Sequence, residues 1–353
     1  MCQSCALIQI LSPISPEELY RDFNFCFTSW KAQPHMADEI TLIKENVKQD
    51  ALVVEIGCND GGFLNEMKKL GLSNIVCGEP NRVAGEIALK VGVPVYNNFF
   101  SDSIADQILE KHGQASLVVS RQVVEHIPDL SSLLRNVSRI LTTDGYILFE
   151  VPDFEVPLKH GDCSALWEEH VNYFTEPVMS ALLNRHGFEV KKIQRFPFSG
   201  GALLVFAKRS PQGKPVVVDR GLEIERIKTL AKGFEQRVSS FRQRLVEALE
   251  GNRAKGRPNV LYGSGCRANT LINGLQLGRY FEFIVDDQAE KQKLFMPGCH
   301  LEIKSSQSLN DAIGACFLSV NSENEDKVIR SHQNFLNKGG TFHSLNSPSP
   351  LLI

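Results

Sequence analysis

The chain has 353 residues, 42% of them hydrophobic, which is enough for two or three separate cores. Its 38 Lys and Arg against 41 Asp and Glu give a formal net charge of -3, so no basic excess marks a nucleic-acid-binding surface. There is no apolar run of about 18 residues, and Met1-Cys2-Gln3-Ser4-Cys5 does not open a secretory leader; no membrane partner is expected, and a cytoplasmic location is.

The nine cysteines are scattered, and several (Cys58, Cys77, Cys316) lie in apolar runs, which suits free thiols in a reducing compartment. A short head, 1–33, precedes a predicted helix from Pro34 to Lys48. Short apolar runs and helical stretches then alternate. Strands are predicted over Ala51–Ile56, Asn74–Gly78, Ser116–Ser120 and Gly145–Val151. Helices are predicted over Gly62–Leu70, Arg82–Val91, Leu130–Leu141 and Glu176–His186. Phe188–Ile193 and Ala202–Ala207 read as two closing strands. This alternation argues an α/β fold with a parallel sheet covered on both faces. Residues 210–257 form a Pro- and Gly-containing linker and one charged helix, Asp219 to about Glu250. A second, smaller α/β unit occupies 258–353, with strands at Asn259–Tyr262, Phe281–Val285, Ala315–Val320 and Gly340–Ser344 and a helix at Thr270–Leu277.

Val53-Val54-Glu55-Ile56-Gly57-Cys58-Asn59-Asp60-Gly61 is an apolar strand that ends in an acid and enters a glycine turn before a helix. Glycine permits positive φ and close backbone approach to a ligand. About twenty residues on, Glu79-Pro80 puts a carboxylate at the next strand end, where its oxygens suit a ribose diol. By itself the turn fits a dinucleotide, S-adenosylmethionine or an empty tight turn. A dinucleotide fingerprint needs glycine where Asn59 stands. The later segments, Val118 to Glu125 with Gln122, then His126-Ile127-Pro128-Asp129-Leu130 and Thr143-Asp144-Gly145, favour the cofactor S-adenosyl-L-methionine in a class I methyltransferase sheet over residues 34–209. Contacts are expected from Glu55, Gly57, Asn59, Asp60, Gly61, Glu79, Pro80 and Gln122.

Past the fifth strand, Trp167-Glu168-Glu169-His170-Val171-Asn172-Tyr173-Phe174 places a titratable base and a phenol on the ligand side of the sheet. Glu169 and His170 could equally cap or orient the helix that begins near Thr175. In the second unit, Gly263-Ser264-Gly265-Cys266-Arg267 could cradle a phosphate at a helix start, with Asp286 facing a ribose or base, or could be a bare structural turn.

With these motifs in order, the chain resembles the nucleotide-sugar C-methyltransferases that act on 4-keto deoxysugars. The resemblance rests on Cys2-x-x-Cys5, Ser15-Pro16-Glu17-Glu18-Leu19-Tyr20, Glu55-Ile56-Gly57-x-Asn59-Asp60-Gly61, Glu79-Pro80, His126-Ile127-Pro128-Asp129-Leu130, Glu169-His170-x-x-Tyr173-Phe174, Gly200-Gly201-Ala202-Leu203, Tyr262-Gly263-x-Gly265 and Val285-Asp286-Asp287. It implies a zinc-binding-type head, a methyltransferase middle and a Rossmann-like C-terminal domain that binds substrate. It also implies that His170 removes a proton next to a sugar ketone, assisted by Glu169, so that the carbanion takes the methyl group. Trp167, Gly263, Gly265, Arg267 and Asp286 would contact the nucleotide sugar.

The chain departs from that pattern twice. Only Cys2 and Cys5 remain of the two cysteine pairs; four-coordinate zinc needs four ligands, so bound zinc is not expected, with Cys26 the one further thiol considered. Trp167 and the stretch Phe25 to Trp30 replace phenols, which leaves Tyr173 as the nearest donor for a developing oxyanion. Two alternatives stay open: O- or N-methylation of a sugar or small metabolite, and noncatalytic binding of cofactor or sugar nucleotide. The sequence sets no oligomeric state.

Overall fold

A computed structural model describes residues 1–20, 33, 35–90, 92–167, 169–210, 214–216, 220–311, 314–347 and 349–353. Its first half runs β1 (Ile8–Gln9), α1 (Pro16–Tyr20), α2 (Met36–Asn46), β2 (Val53–Ile56), α3 (Gly62–Lys69), β3 (Ile75–Gly78), α4 (Arg82–Lys90), β4 (Val95–Tyr96), α5 (Asp102–His112), β5 (Ala115–Arg121), α6 (Leu130–Ile140) and β6 (Leu141–Pro152). There follow α7 (Glu155–His160), β7 (Asn172–Tyr173), α8 (Glu176–Arg185), β8 (Phe188–Phe196), β9 (Ala202–Arg209), α9 (Gly221–Lys232) and α10 (Phe234–Ala254). The last part holds β10 (Asn259–Tyr262), α11 (Cys266–Gly274), β11 (Phe283–Asp286), β12 (Ile303–Ser305), β13 (Ala315–Leu318), α12 (Ser322–Ser331), α13 (Gln333–Asn337) and β14 (Thr341–Ser344).

The chain forms two compact units. The first comprises Met1–Asp153, Glu168–Phe196 and Gly201–Glu225; the second comprises Phe154–Trp167, Pro197–Gly200 and Arg226–Ile353. This division differs from the linear one expected, 1–33, 34–209, 210–257 and 258–353. The described head residues belong to the first unit, because β1 pairs with β7 (Ile8 with Tyr173, Gln9 with Asn172). The stretch 154–167, expected in the methyltransferase domain, belongs to the second unit. The single charged helix expected after the linker is two, α9 and α10, broken at Gly233.

The first unit is built on a seven-stranded sheet of order β4-β3-β2-β5-β6-β9-β8, parallel from β4 through β6. Antiparallel β9 and β8 close it. The central strands are largely apolar because helices cover both faces. Side-chain alternation divides them: Val54, Ile56 and Val118 enter one core, while Val53, Leu117 and Val119 enter the other. Helix α6 buries Leu130, Leu133, Leu134, Val137 and Ile140, one stripe at helical spacing, and the Ser132 backbone N–H donates to Asp129 Oδ1 at its start. Helix α5 and strand β4 were absent from the sequence expectations. The second unit carries a wholly parallel five-stranded sheet of order β12-β11-β10-β13-β14. Among the described residues no helix is long and apolar enough to cross a membrane.

Candidate active site

The carboxyl ends of β2, β3, β5 and β6 bring most of the expected residues together, at the edge where open parallel sheets take ligands. Gly57 leaves β2 with φ 76° and packs so tightly that a Cβ there would lie 2.4 Å from Val123 Cγ2. Its N–H donates to Gly78 O at 2.8 Å, stitching the turn to β3. Asn59, at φ 49°, is a non-glycine residue in the left-handed region, and its Oδ1 accepts from the Asp60 N–H at 2.9 Å. Gly61, at φ 79°, sits at the start of α3. Asp60 is 1% exposed and its Oδ1 accepts from the Gly62 N–H at 3.2 Å, so its carboxylate serves the turn itself.

Glu79 lies just past β3. One oxygen accepts from the Asn59 N–H at 2.7 Å and the other from the Asn81 N–H at 2.8 Å. Each oxygen keeps a second lone pair for a hydroxyl. Half-buried Pro80 follows. Glu55 is 2% exposed, and its Oε2 has no hydrogen-bond partner among the described residues. Burial pushes its carboxyl up to about 8; Arg121 lowers it, and Glu79 and Asp60 raise it further. Burial likewise raises Glu79, against the backbone N–H groups of Asn81 and Asn59. Three buried carboxylates around one glycine turn, one with an orphan oxygen, form a site that a cation relieves. These residues fit S-adenosylmethionine, whose sulfonium and ammonium are cationic and whose ribose carries a diol.

The Gln122 side-chain N–H donates to Glu150 Oε1 at 2.7 Å. It belongs to a buried network that the sequence did not reveal. His35 Nε2 lies 2.7 Å from Glu150 Oε2. Arg121 Nε is 3.0 Å from Glu39 Oε2, close without hydrogen-bond alignment, and its Nη2 donates to Gln33 Oε1. The guanidinium also stacks 4.4 Å from the Phe63 ring centre. Burial would raise Glu150, but Arg121 and the hydrogen bond from His35 hold it well below the usual carboxylate range. Burial raises Glu39 well above that range.

Next to this network stand the substrate-side groups. His126 Nδ1 lies 2.7 Å from Glu169 O, so with an Nδ1–H tautomer that nitrogen donates and Nε2 keeps the lone pair. The His126 and His170 rings are 4.9 Å apart, nearly edge to face. Asn172 fixes the same segment: its Nδ2 donates to Ile127 O at 2.8 Å, and its Oδ1 accepts from Gln9 at 2.8 Å. The head therefore braces the strand that follows His170. His170 is 7% exposed; burial, then neighbouring His126, pushes its imidazole well below the ordinary value. Burial pushes His126 down to about 4 and Glu125 up to about 8. Glu169 and His170 lie outside the cap of α8, whose N-cap is Thr175. Tyr173 is 4% exposed, its ring 6.2 Å from that of His170. Glu125, His126 and His170 offer ligand atoms within 4.8 Å of one another, a spacing that could also hold a metal ion, as do His35, Glu39 and Glu150.

The other expected residues fall elsewhere. Trp167 is half-buried and belongs to the second unit. In that unit, Gly263 (φ 96°) and Gly265 form the turn after β10. Asp286 Oδ2 accepts from both the N–H and the hydroxyl of Ser264, at 2.9 and 2.6 Å, so it closes the turn from within. Arg267, expected to add charge for a phosphate, is instead 9% exposed and ion-paired to Asp162 Oδ2 at 2.7 Å. Its Nε donates to Ser164 Oγ at 3.1 Å. The Cys58 and Cys77 sulfurs face each other at the ends of β2 and β3. Cys2 is exposed and Cys5 half-buried, and neither joins a metal-ligating group among the described residues. Cys26 and the stretch Phe25 to Trp30 lie outside the described residues.

Residues 30–193 match a methyltransferase domain family, and residues 197–345 match a C-methyltransferase C-terminal domain family. The chain is similar to the C-methyltransferase NovU of Streptomyces niveus, 27% identical over 365 residues, covering 100% of this chain and 86% of that protein. It is also similar to the ubiquinone biosynthesis O-methyltransferase of Proteus mirabilis, 27% identical over 28% of this chain and 40% of that one. Among solved structures, a Burkholderia thailandensis 1,6-didemethyltoxoflavin-N1-methyltransferase with bound S-adenosylhomocysteine matches 58% of this chain and 95% of that one, with 16% identity and a TM-score of 0.44. The chain is an S-adenosylmethionine-dependent methyltransferase, in which a methyltransferase domain is followed by a C-methyltransferase C-terminal domain.

Proposed function

We propose that this methyltransferase alkylates carbon, next to the ketone of a nucleotide-linked deoxysugar. The observation that carries the proposal is His170: a buried imidazole held neutral, 4.9 Å from His126, on a segment tied to the loop after β5. Similarity over the whole chain to a protein named as a C-methyltransferase supports carbon as the acceptor.

S-adenosylmethionine supplies an electrophilic methyl group. Glu55 and Glu79 hold the donor's cationic end and ribose, and the glycine turn lets backbone approach it. His170 takes the proton from the carbon beside the ketone, a role worth roughly 10²–10⁴-fold. Glu169 orients the site through its carbonyl on His126. Fixing donor and acceptor in line contributes up to roughly 7–11 kcal/mol.

The test is to incubate the full chain with methyl-labelled S-adenosylmethionine and a panel of nucleotide-linked keto-deoxysugars. A product with label on carbon is expected, together with deuterium uptake from solvent beside the ketone in the absence of donor. Label on oxygen or nitrogen, or undiminished turnover by His170→Ala, overturns the proposal.

A further inference from the structure

Abstraction of a proton next to a ketone breaks a C–H bond, sends the proton to His170 and moves the electron pair toward the ketone oxygen. That oxygen gains charge and needs a hydrogen-bond donor until the new C–C bond forms and the S–CH₃ bond breaks. The phenol first expected for this, Tyr173, is 4% exposed and sits in the β1–β7 ladder.

A different phenol reaches the site. Tyr20 ends α1, in the first unit. Its ring meets His126 edge-on, with centres 6.0 Å apart and planes at 87°, and meets Phe99 at 6.3 Å and 64°. His126 is the ring locked to Glu169 O and packed 4.9 Å from His170. The geometry points to Tyr20 as the hydrogen-bond donor to the acceptor's developing oxyanion, one imidazole away from the base. It rests on the keto-sugar assignment above. Tyr20 is half-buried.

The electrostatics agree. Burial raises the Tyr20 hydroxyl well above its ordinary value, and Glu169, Glu125 and Glu79 raise it further. A phenol that keeps its proton among carboxylates donates rather than accepts. The same three acids belong to the base segment, the loop after β5 and the cofactor turn, which places the hydroxyl within the field of both halves of the reaction.

The experiment compares the full chain with Tyr20→Phe, using thymidine-diphosphate-4-keto-6-deoxyglucose as probe. Turnover and donor-free deuterium uptake are read alongside calorimetric binding of S-adenosylhomocysteine. The variant keeps the ring and loses only the hydroxyl. A fall in kcat of roughly 10²–10³-fold is expected, with S-adenosylhomocysteine affinity unchanged. Fluorotyrosine at position 20, a more acidic phenol, should restore turnover and shift its pH profile. Turnover of Tyr20→Phe within about threefold of the unaltered chain overturns the assignment, as does an equal loss of cofactor binding and turnover. If the unaltered chain binds S-adenosylhomocysteine but neither exchanges nor methylates the probe, the keto-sugar assignment fails and takes the Tyr20 role with it.

Discussion

The chain builds the same local device twice. β2 enters a glycine turn before α3, with Glu79 past the next strand; β10 enters a glycine turn before α11, with Asp286 ending the next strand. Each acid accepts from a backbone N–H of its own turn, 20 residues back at Asn59 and 22 back at Ser264. The surroundings differ. The first turn gathers Glu55, Asp60 and Glu79 and leaves Glu55 Oε2 without a partner among the described residues. In the second, Ser264 donates twice to Asp286, Gln288 N–H takes the other oxygen, and Arg267 is committed to Asp162. Strand-turn-helix topology makes both turns alike; the cluster of three buried acids distinguishes the first.

The sharpest way to break this contrast is at the chemistry. His170→Ala should lower turnover by roughly 10²–10⁴-fold while S-adenosylhomocysteine still binds by calorimetry. Arg267→Ala should destabilise the second unit by about 3–5 kcal/mol, because it strands buried Asp162, and should leave cofactor binding intact. Denaturant unfolding followed in parallel with cofactor binding checks both; lost cofactor affinity would remove the distinction. Next come the glycines. Gly57→Ala meets Val123 and a positive φ, and should cost about 1–3 kcal/mol in thermal stability. Gly265→Ala has no heavy atom within 4 Å and a φ of -77°, and should change stability by about 0.5 kcal/mol or less.

A further expected effect is with pH. Glu55, raised to about 8, is largely protonated below that value in the free protein. A cation favours its ionised form, so preference for the sulfonium donor over its neutral-sulfur product should strengthen as pH rises toward about 8 and then level off. The ceiling is about tenfold per pH unit. The same raised value makes folded stability fall between about 4.5 and 8, where the native state holds the extra proton. Calorimetric titration of both ligands at pH 6.5 and 8.5 checks the trend; a flat ratio would detach Glu55 from the sulfonium.

The glycine turn after β2 was legible because its information is local: strand, Gly57, Gly61 and helix follow in sequence, and Glu79 stands one βα unit away. What the sequence did not disclose was made by distant pairing. Glu169 O meets His126 from 43 residues away, His35 meets Glu150 across 115, and Arg267 meets Asp162 across 105. Gln122 and Arg267 carry donors suited to a ligand, yet tertiary partners claim them first. Tyr20 was visible only as part of a motif, since nothing in Pro16–Tyr20 announces that its last ring will rest on His126.

The excursion of 154–167 into the second unit has an evolutionary and practical corollary. Asp162 receives Arg267 and the Ser347 N–H and hydroxyl, while Leu158 O accepts from Arg237. No single cleavage of the gene yields two self-sufficient halves: a fragment stopped at Arg209 would carry a segment whose salt-bridge partner was left behind. Shuffling this C-terminal module onto another methyltransferase would require transplanting the inserted loop along with it.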